Sequence, residues 1–165
     1  MKRLLLIISI LIPFSAYAGG SISRARINHI VSECRACEGS EVVHVGWLGT
    51  AAIRGIIRLS AKDDPDAREA LTLLRGVRSL SVVDFEDCSE SDKARLRSRI
   101  SAALSDGEML IEVADGQDKM RIYGVVNEKT ESVRDFVLYT PGDCALICLF
   151  GTLPIDTVSK IAAND

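Results

Sequence analysis

The sequence predicts an α+β fold: an antiparallel β-sheet built mostly from a C-terminal meander, with helices packed on one face. Two observations carry that prediction. Residues 109–150 alternate apolar and polar positions in short runs separated by turn residues, which is the pattern of hairpin-linked strands. Ahead of them, residues 89–104 carry a start signal and an apolar stripe at helical spacing. Helical and strand segments that separate along the chain, with no internal repeat, place it in the α+β class.

The first segment reads as an address rather than as part of the fold. Lys2 and Arg3 provide a positive start, residues 4–14 an apolar run, and Ala16-Tyr17-Ala18 a small-x-small cleavage site ahead of Gly19. The expectation is export through a cleavable signal peptide over 1–18, to the periplasm or beyond. The first cysteine is Cys34, so none follows the cleavage site directly and no lipid anchor is expected. No later segment has the length of a transmembrane anchor. The rest of the 165-residue chain has the size of one domain. It divides into an N-terminal segment, 19–49, and an α+β domain, 50–165, expected to form a single globular unit.

Within 19–49, Ile27, Ile30 and Val31 fall at helical spacing over 26–37, Glu38-Gly39-Ser40 ends that helix, and Val42, Val43 and Val45 suggest a brief strand. Thr50 is placed to cap a helix with Ile53, Ile56, Ile57 and Leu59 on its apolar side. Asp63-Asp64-Pro65-Asp66 breaks that helix, and Ala67, Ala70, Leu71 and Leu74 resume the spacing up to Gly76. A β-branched and aromatic run over 79–85 predicts a strand.

Ser89 and Asp92 then imitate a capping box, and Leu96, Ile100, Ala103 and Leu104 form the stripe of a helix that Asp106-Gly107 ends. Met109, Ile111 and Val113 mark one strand. Met120, Ile122 and Val126 mark the next, after the turn residues 115–118. Residues 127–131 turn the chain into a strand over 133–139, and Pro141-Gly142-Asp143 turns it into another over 144–150. Pro154 opens a closing helix with Ile155, Val158, Ile161 and Ala162 inward.

Several of these segments carry a family resemblance: Val77-Arg78-Ser79-Leu80-Ser81-Val82, the helix ending at Leu104, Glu108-Met109-Leu110-Ile111-Glu112-Val113, Lys119-Met120-Arg121-Ile122-Tyr123-Gly124 and Ala145-Leu146-Ile147-Cys148-Leu149-Phe150-Gly151-Thr152-Leu153. Together they resemble the small exported Bacteroidetes proteins grouped as domain of unknown function 4252. The resemblance implies an exported α+β domain with no assigned activity, and it transfers no site residues. Cys34 and Cys37 lie outside the matching stretches.

Charge narrows the partners. The chain has 20 basic and 23 acidic residues, and loss of Lys2 and Arg3 takes the net charge from −3 to −5. That balance disfavours nucleic acid, and the basic stretch 93–99 is broken by Ala94, Leu96 and Ser98 as on a solvated helix face.

Five cysteines, at 34, 37, 88, 144 and 148, cannot all pair within one chain, although an oxidising compartment permits partial pairing. Cys34-Arg35-Ala36-Cys37 is the one motif with a reaction attached: a redox dithiol, or a structural disulfide. Its place toward a helix C-terminus, beside Glu33 and Glu38, works against a thiolate. Glu38 also stands where haem attachment requires histidine. For zinc, Cys144 and Cys148 in one strand would be about 13 Å apart at 3.3 Å per residue, too far to share one metal. Cys148 alternates with Leu146 and Phe150 and reads as a buried apolar thiol. Cys88 is placed to pair with Cys144 or to stay free.

His29 and His44 are the two imidazoles, with no H-E-x-x-H spacing and no serine in a nucleophile-elbow context. Asp63, Asp64 and Asp66 read as a solvated turn that matches no calcium loop. No glycine motif for phosphate opens a helix, so neither a catalytic set, a metal site nor a cofactor is expected. Trp47, the sole tryptophan, sits in Gly46-Trp47-Leu48-Gly49. A packing anchor is the expectation for it, with a partner contact as the alternative. Together the residues suggest a noncatalytic envelope domain that binds a protein or ligand, the alternative being a thiol–disulfide protein using Cys34 and Cys37.

Overall fold

A computed structural model describes residues 20–60, 74–115 and 118–163. Helix α1 (Arg24–Arg35) begins at Ser23, whose side chain accepts the Arg26 amide, and it buries Ile27, Ile30, Val31 and Cys34. The left-handed Gly39 (φ 86°) turns the chain into strand β1 (Glu41–Val45). Helix α2 spans Trp47–Ser60, so it starts before the cap expected at Thr50. The Thr50 amide already donates to Gly46 O at 2.9 Å. Its hydroxyl reaches Trp47 O at 2.9 Å and Arg78 O at 3.1 Å, fastening α2 to the next strand instead of capping it. The acidic break at 63–66 and the helix expected from Ala67 fall largely outside the described residues.

Strand β2 (Val77–Asp84) leads to helix α3 (Glu90–Leu104). Ser89 accepts the Asp92 amide at 3.2 Å, and Leu96, Ile100, Ala103 and Leu104 are buried, the stripe read from the sequence. The meander follows as β3 (Met109–Asp115), β4 (Asp118–Asn127), a 3₁₀ turn (Glu128–Thr130), β5 (Ser132–Thr140) and β6 (Ala145–Pro154). Helix α4 (Ile155–Ala163) comes last. Strand β6 starts one residue later than expected because Cys144 is left-handed (φ 54°) and belongs to the turn.

The six strands form one antiparallel sheet in the order β1-β2-β6-β5-β4-β3. The α+β class and the meander are therefore as the sequence indicates, and β2 and β1 extend the sheet beyond β6. The helices do not gather on one face. Leu146, Cys148, Phe150, Val137 and Tyr139 point toward α1 and α3 and join Ile27, Ile30, Leu96 and Ile100 in one cluster. Alternate positions, Phe136, Leu138 and Leu149, join Ile122, Val133 and Leu153 with Ile155 and Val158 of α4. A meander strand buried on both sides needs cover on both sides.

A line of irregularities crosses the sheet at one level. Pairing shifts register between Val77 and Ser79, Arg134 and Phe136, Tyr123 and Val125, and Met109 and Ile111. At that level Gly151 has φ 142° and Asp135 φ 57°. Each bulge swaps the face a strand presents. Val133 and Val137 consequently serve opposite clusters despite even spacing.

Candidate functional site

The topology collects all five cysteines in one region. Cys34, Cys88, Cys144 and Cys148 belong to the cluster beneath α1 and α3, and Cys37 packs against it. All five are free thiols. Cys34, on the last turn of α1, is fully buried, and its thiol is pushed from 9.0 up to about 12. Burial is the main cause, followed by the negative charge that Cys37, Cys88 and Glu33 would place beside a thiolate. Cys148, under it in β6, is pushed to about 12 by burial and then by Cys34.

Cys88, just before the cap of α3, is also pushed up by burial first and then by Cys37, Asp92 and Cys144, with Lys93 opposing. Cys37 differs from the other four in being only half-buried. Its Sγ lies 3.5 Å from Glu33 O and accepts from Arg95 Nη2 at 3.4 Å.

Cys144 does not share a strand with Cys148. From its turn it accepts from Arg97 Nη2 at 3.0 Å, while Arg97 Nε donates to Pro141 O at 3.0 Å. Among the described residues no group of three or more His, Cys, Asp or Glu side chains is placed to hold a metal ion.

Both histidines have structural partners. His29 Nδ1 lies 2.7 Å from Glu33 Oε1, which also accepts from Arg99 Nη1 at 2.9 Å. His29 and Arg99 edge a groove of about 490 Å³ between α1 and α3, which Ile30 and Ala103 also line. His44 Nδ1 is 2.8 Å from Ser81 Oγ across the β1–β2 pair. Ser81 is fully buried, so no substrate carbonyl reaches its hydroxyl, and the pair acts as a cross-strand bond.

Sequence reasoning missed Asp135, a buried carboxylate at the β5 bulge. Arg24 holds it through Nε at 3.0 Å and Nη2 at 2.5 Å, and the Arg24 guanidinium also lies 5.4 Å from the Phe150 ring centre. The bond spans 111 positions of chain, so no local pattern announces it. It ties the start of α1 to the bulged line of the sheet.

Trp47 overturns the expectation of a packing anchor. It is 68% exposed, and it shares the β1–α2 corner with Leu48 at 65% and Val43 at 56%. The reason is the early start of α2. Trp47 occupies its first position, while Thr50 takes the inward one at 1% exposure.

The family model described as domain of unknown function DUF4252 matches residues 54–161, about two thirds of the chain. The chain belongs to the DUF4252 family. No curated protein and no solved structure matches it. The DUF4252 segment opens inside α2 and closes inside α4. It thus contains Cys88, Cys144 and Cys148, while Cys34, Cys37 and Trp47 precede it.

Proposed function

We propose that this DUF4252 chain is an exported, noncatalytic domain of the cell envelope that binds another envelope protein through the corner formed by Val43, Trp47 and Leu48. The observation that carries the reading is the joint exposure of these three apolar residues beside β1, which is an edge strand. An edge strand offers unpaired backbone donors and acceptors to an incoming chain. A neighbouring tryptophan is the side chain most often found at the energetic centre of an interface. Addition of an extended partner segment to β1, with Trp47 and Leu48 folded over it, uses both features. Export is supported by the pattern of residues 1–18, and the net charge of −3 disfavours nucleic acid as the partner.

The alternative, a thiol–disulfide protein using Cys34 and Cys37, has Arg95 beside Cys37 in its favour. Against it stands the buried Cys34, whose thiol is held near 12. A thiol held that far up offers almost no thiolate to attack an outside disulfide at neutral pH.

The test is retention of envelope proteins on the immobilised mature chain. The wild type should hold one protein in stoichiometric amount. Trp47→Glu should weaken that retention by about tenfold or more, the scale of an interface hot spot, while Lys129→Glu leaves it unchanged. Equal retention by wild type and Trp47→Glu would remove the corner as the binding site.

A further inference from the structure

We infer that Cys37 and Cys88 are a disulfide-forming pair, a redox-responsive staple between the turn that follows α1 and the turn that precedes α3. The inference does not rest on the binding reading, and it selects a partner for Cys37 other than its motif neighbour Cys34.

Three structural observations lead to it. First, the two turns are in backbone contact. Gly39 lies so close to the second turn that an added Cβ would meet Asp87 O at under normal contact distance and Cys88 N at 3.1 Å, so the segments carrying Cys37 and Cys88 touch. Second, Cys37 is the half-buried member of a set whose other four thiols are at most 5% exposed. It is therefore the one that an external oxidant reaches first. Arg95, on the second turn of α3, donates to its Sγ at 3.4 Å and to Asp92 Oδ1 at 2.7 Å, which fixes the sulfur beside the start of α3.

Third, Cys34 belongs to the core: it is fully buried on the last turn of α1, beside Cys148, and an outside oxidant does not reach it. Cys88 stands at the joint between the turn and the N-cap of α3, next in line to the thiol that solvent reaches. The contribution of Cys37 to the raised Cys88 thiol agrees with their being neighbours.

The chemistry is thiol–disulfide exchange with a low-molecular-weight disulfide such as oxidised glutathione. Cys37 gives its proton to solvent, and its thiolate attacks one sulfur of the oxidant. A mixed disulfide forms and one glutathione leaves as thiolate. Cys88 then loses its proton and displaces the second glutathione, closing the Cys37–Cys88 bond. In sum, two protein thiols give up two electrons and two protons, and one oxidant disulfide becomes two thiols.

The full mature chain is equilibrated with oxidised glutathione or with dithiothreitol, its remaining thiols are blocked, and the digest is analysed by mass spectrometry without reduction. The expected result is a peptide pair joined through Cys37 and Cys88 in the oxidised sample only. Cys37→Ser, at a half-buried site, should lose that pair and remain unmodified at Cys88. The oxidised wild type should also melt several degrees higher than the reduced one, and Cys37→Ser should show no such shift. A dominant Cys34–Cys37 or Cys88–Cys144 linkage, or five free thiols after oxidation, would overturn the inference.

Discussion

The chain ahead of the family segment and the family segment itself divide the work of the molecule unequally. Residues 54–161 supply β2 to β6, α3 and most of α4, which means nearly the whole sheet and the helix that covers its centre. Residues 20–53 supply one helix, one edge strand and the start of α2. They also carry the exposed corner of Val43, Trp47 and Leu48 and the accessible thiol Cys37. Yet this N-terminal part is no appendage. Helix α1 buries four residues in the same cluster as Leu96 and Ile100 of α3. A shared scaffold is here completed by a segment that adds both core and exposed apolar surface.

The largest expected effects test whether the two parts have one core. Ile27→Ala in α1 and Leu96→Ala in α3 should each lower stability by about 2–5 kcal/mol, the range for removing a large buried aliphatic side chain, read as a shift in the urea midpoint. A large loss for Leu96→Ala with almost none for Ile27→Ala would show that α1 only rests on the domain.

Alkaline pH probes the same junction through its thiols. Cys34 comes from the N-terminal part and Cys148 from the family segment, and folding raises both from 9.0 to about 12. The fold favours the protonated form. Its contribution is therefore complete below pH 9 and is lost as pH climbs from 9 toward 12, at about 1.4 kcal/mol per pH unit for each thiol. Urea titrations between pH 8 and about 10.5 should show the decline, and Cys148→Ala should reduce its slope. A stability flat across that interval would contradict the burial of both thiols.

Smaller effects separate cap from corner. Ser89→Ala should cost about 1 kcal/mol by freeing the Asp92 amide at the start of α3. Trp47→Ser should change stability by no more than about 0.5 kcal/mol, as for a surface position. A loss of several kcal/mol at Trp47 would mean that the corner is packed rather than open.

What the sequence discloses depends on how local the signal is. The α3 cap and stripe, the strand runs and the turn residues of the meander act within a few positions, and they are legible. Helix α1 is legible through Ile27, Ile30 and Val31, although it spans Arg24–Arg35 rather than 26–37 and leaves Cys37 beyond its end. Features made by long-range pairing are not. The second helical face depends on α4 returning under β5 and β6, and the bulges that exchange faces depend on register across five strands. The exposure of Trp47 turns on α2 beginning three residues ahead of Thr50, whose hydroxyl bonds forward to β2 rather than capping. The convergence of the cysteines required the sheet order itself, because Cys88 and Cys144 come together only when β2 and β6 are adjacent.

The binding claim is tested most directly by a photo-crosslinking amino acid placed at position 47 in the cell that makes the protein. The account predicts one discrete adduct with an envelope protein, formed from position 47 and not from the same probe at position 129. Adducts equally frequent at both positions, or none at position 47, would contradict it.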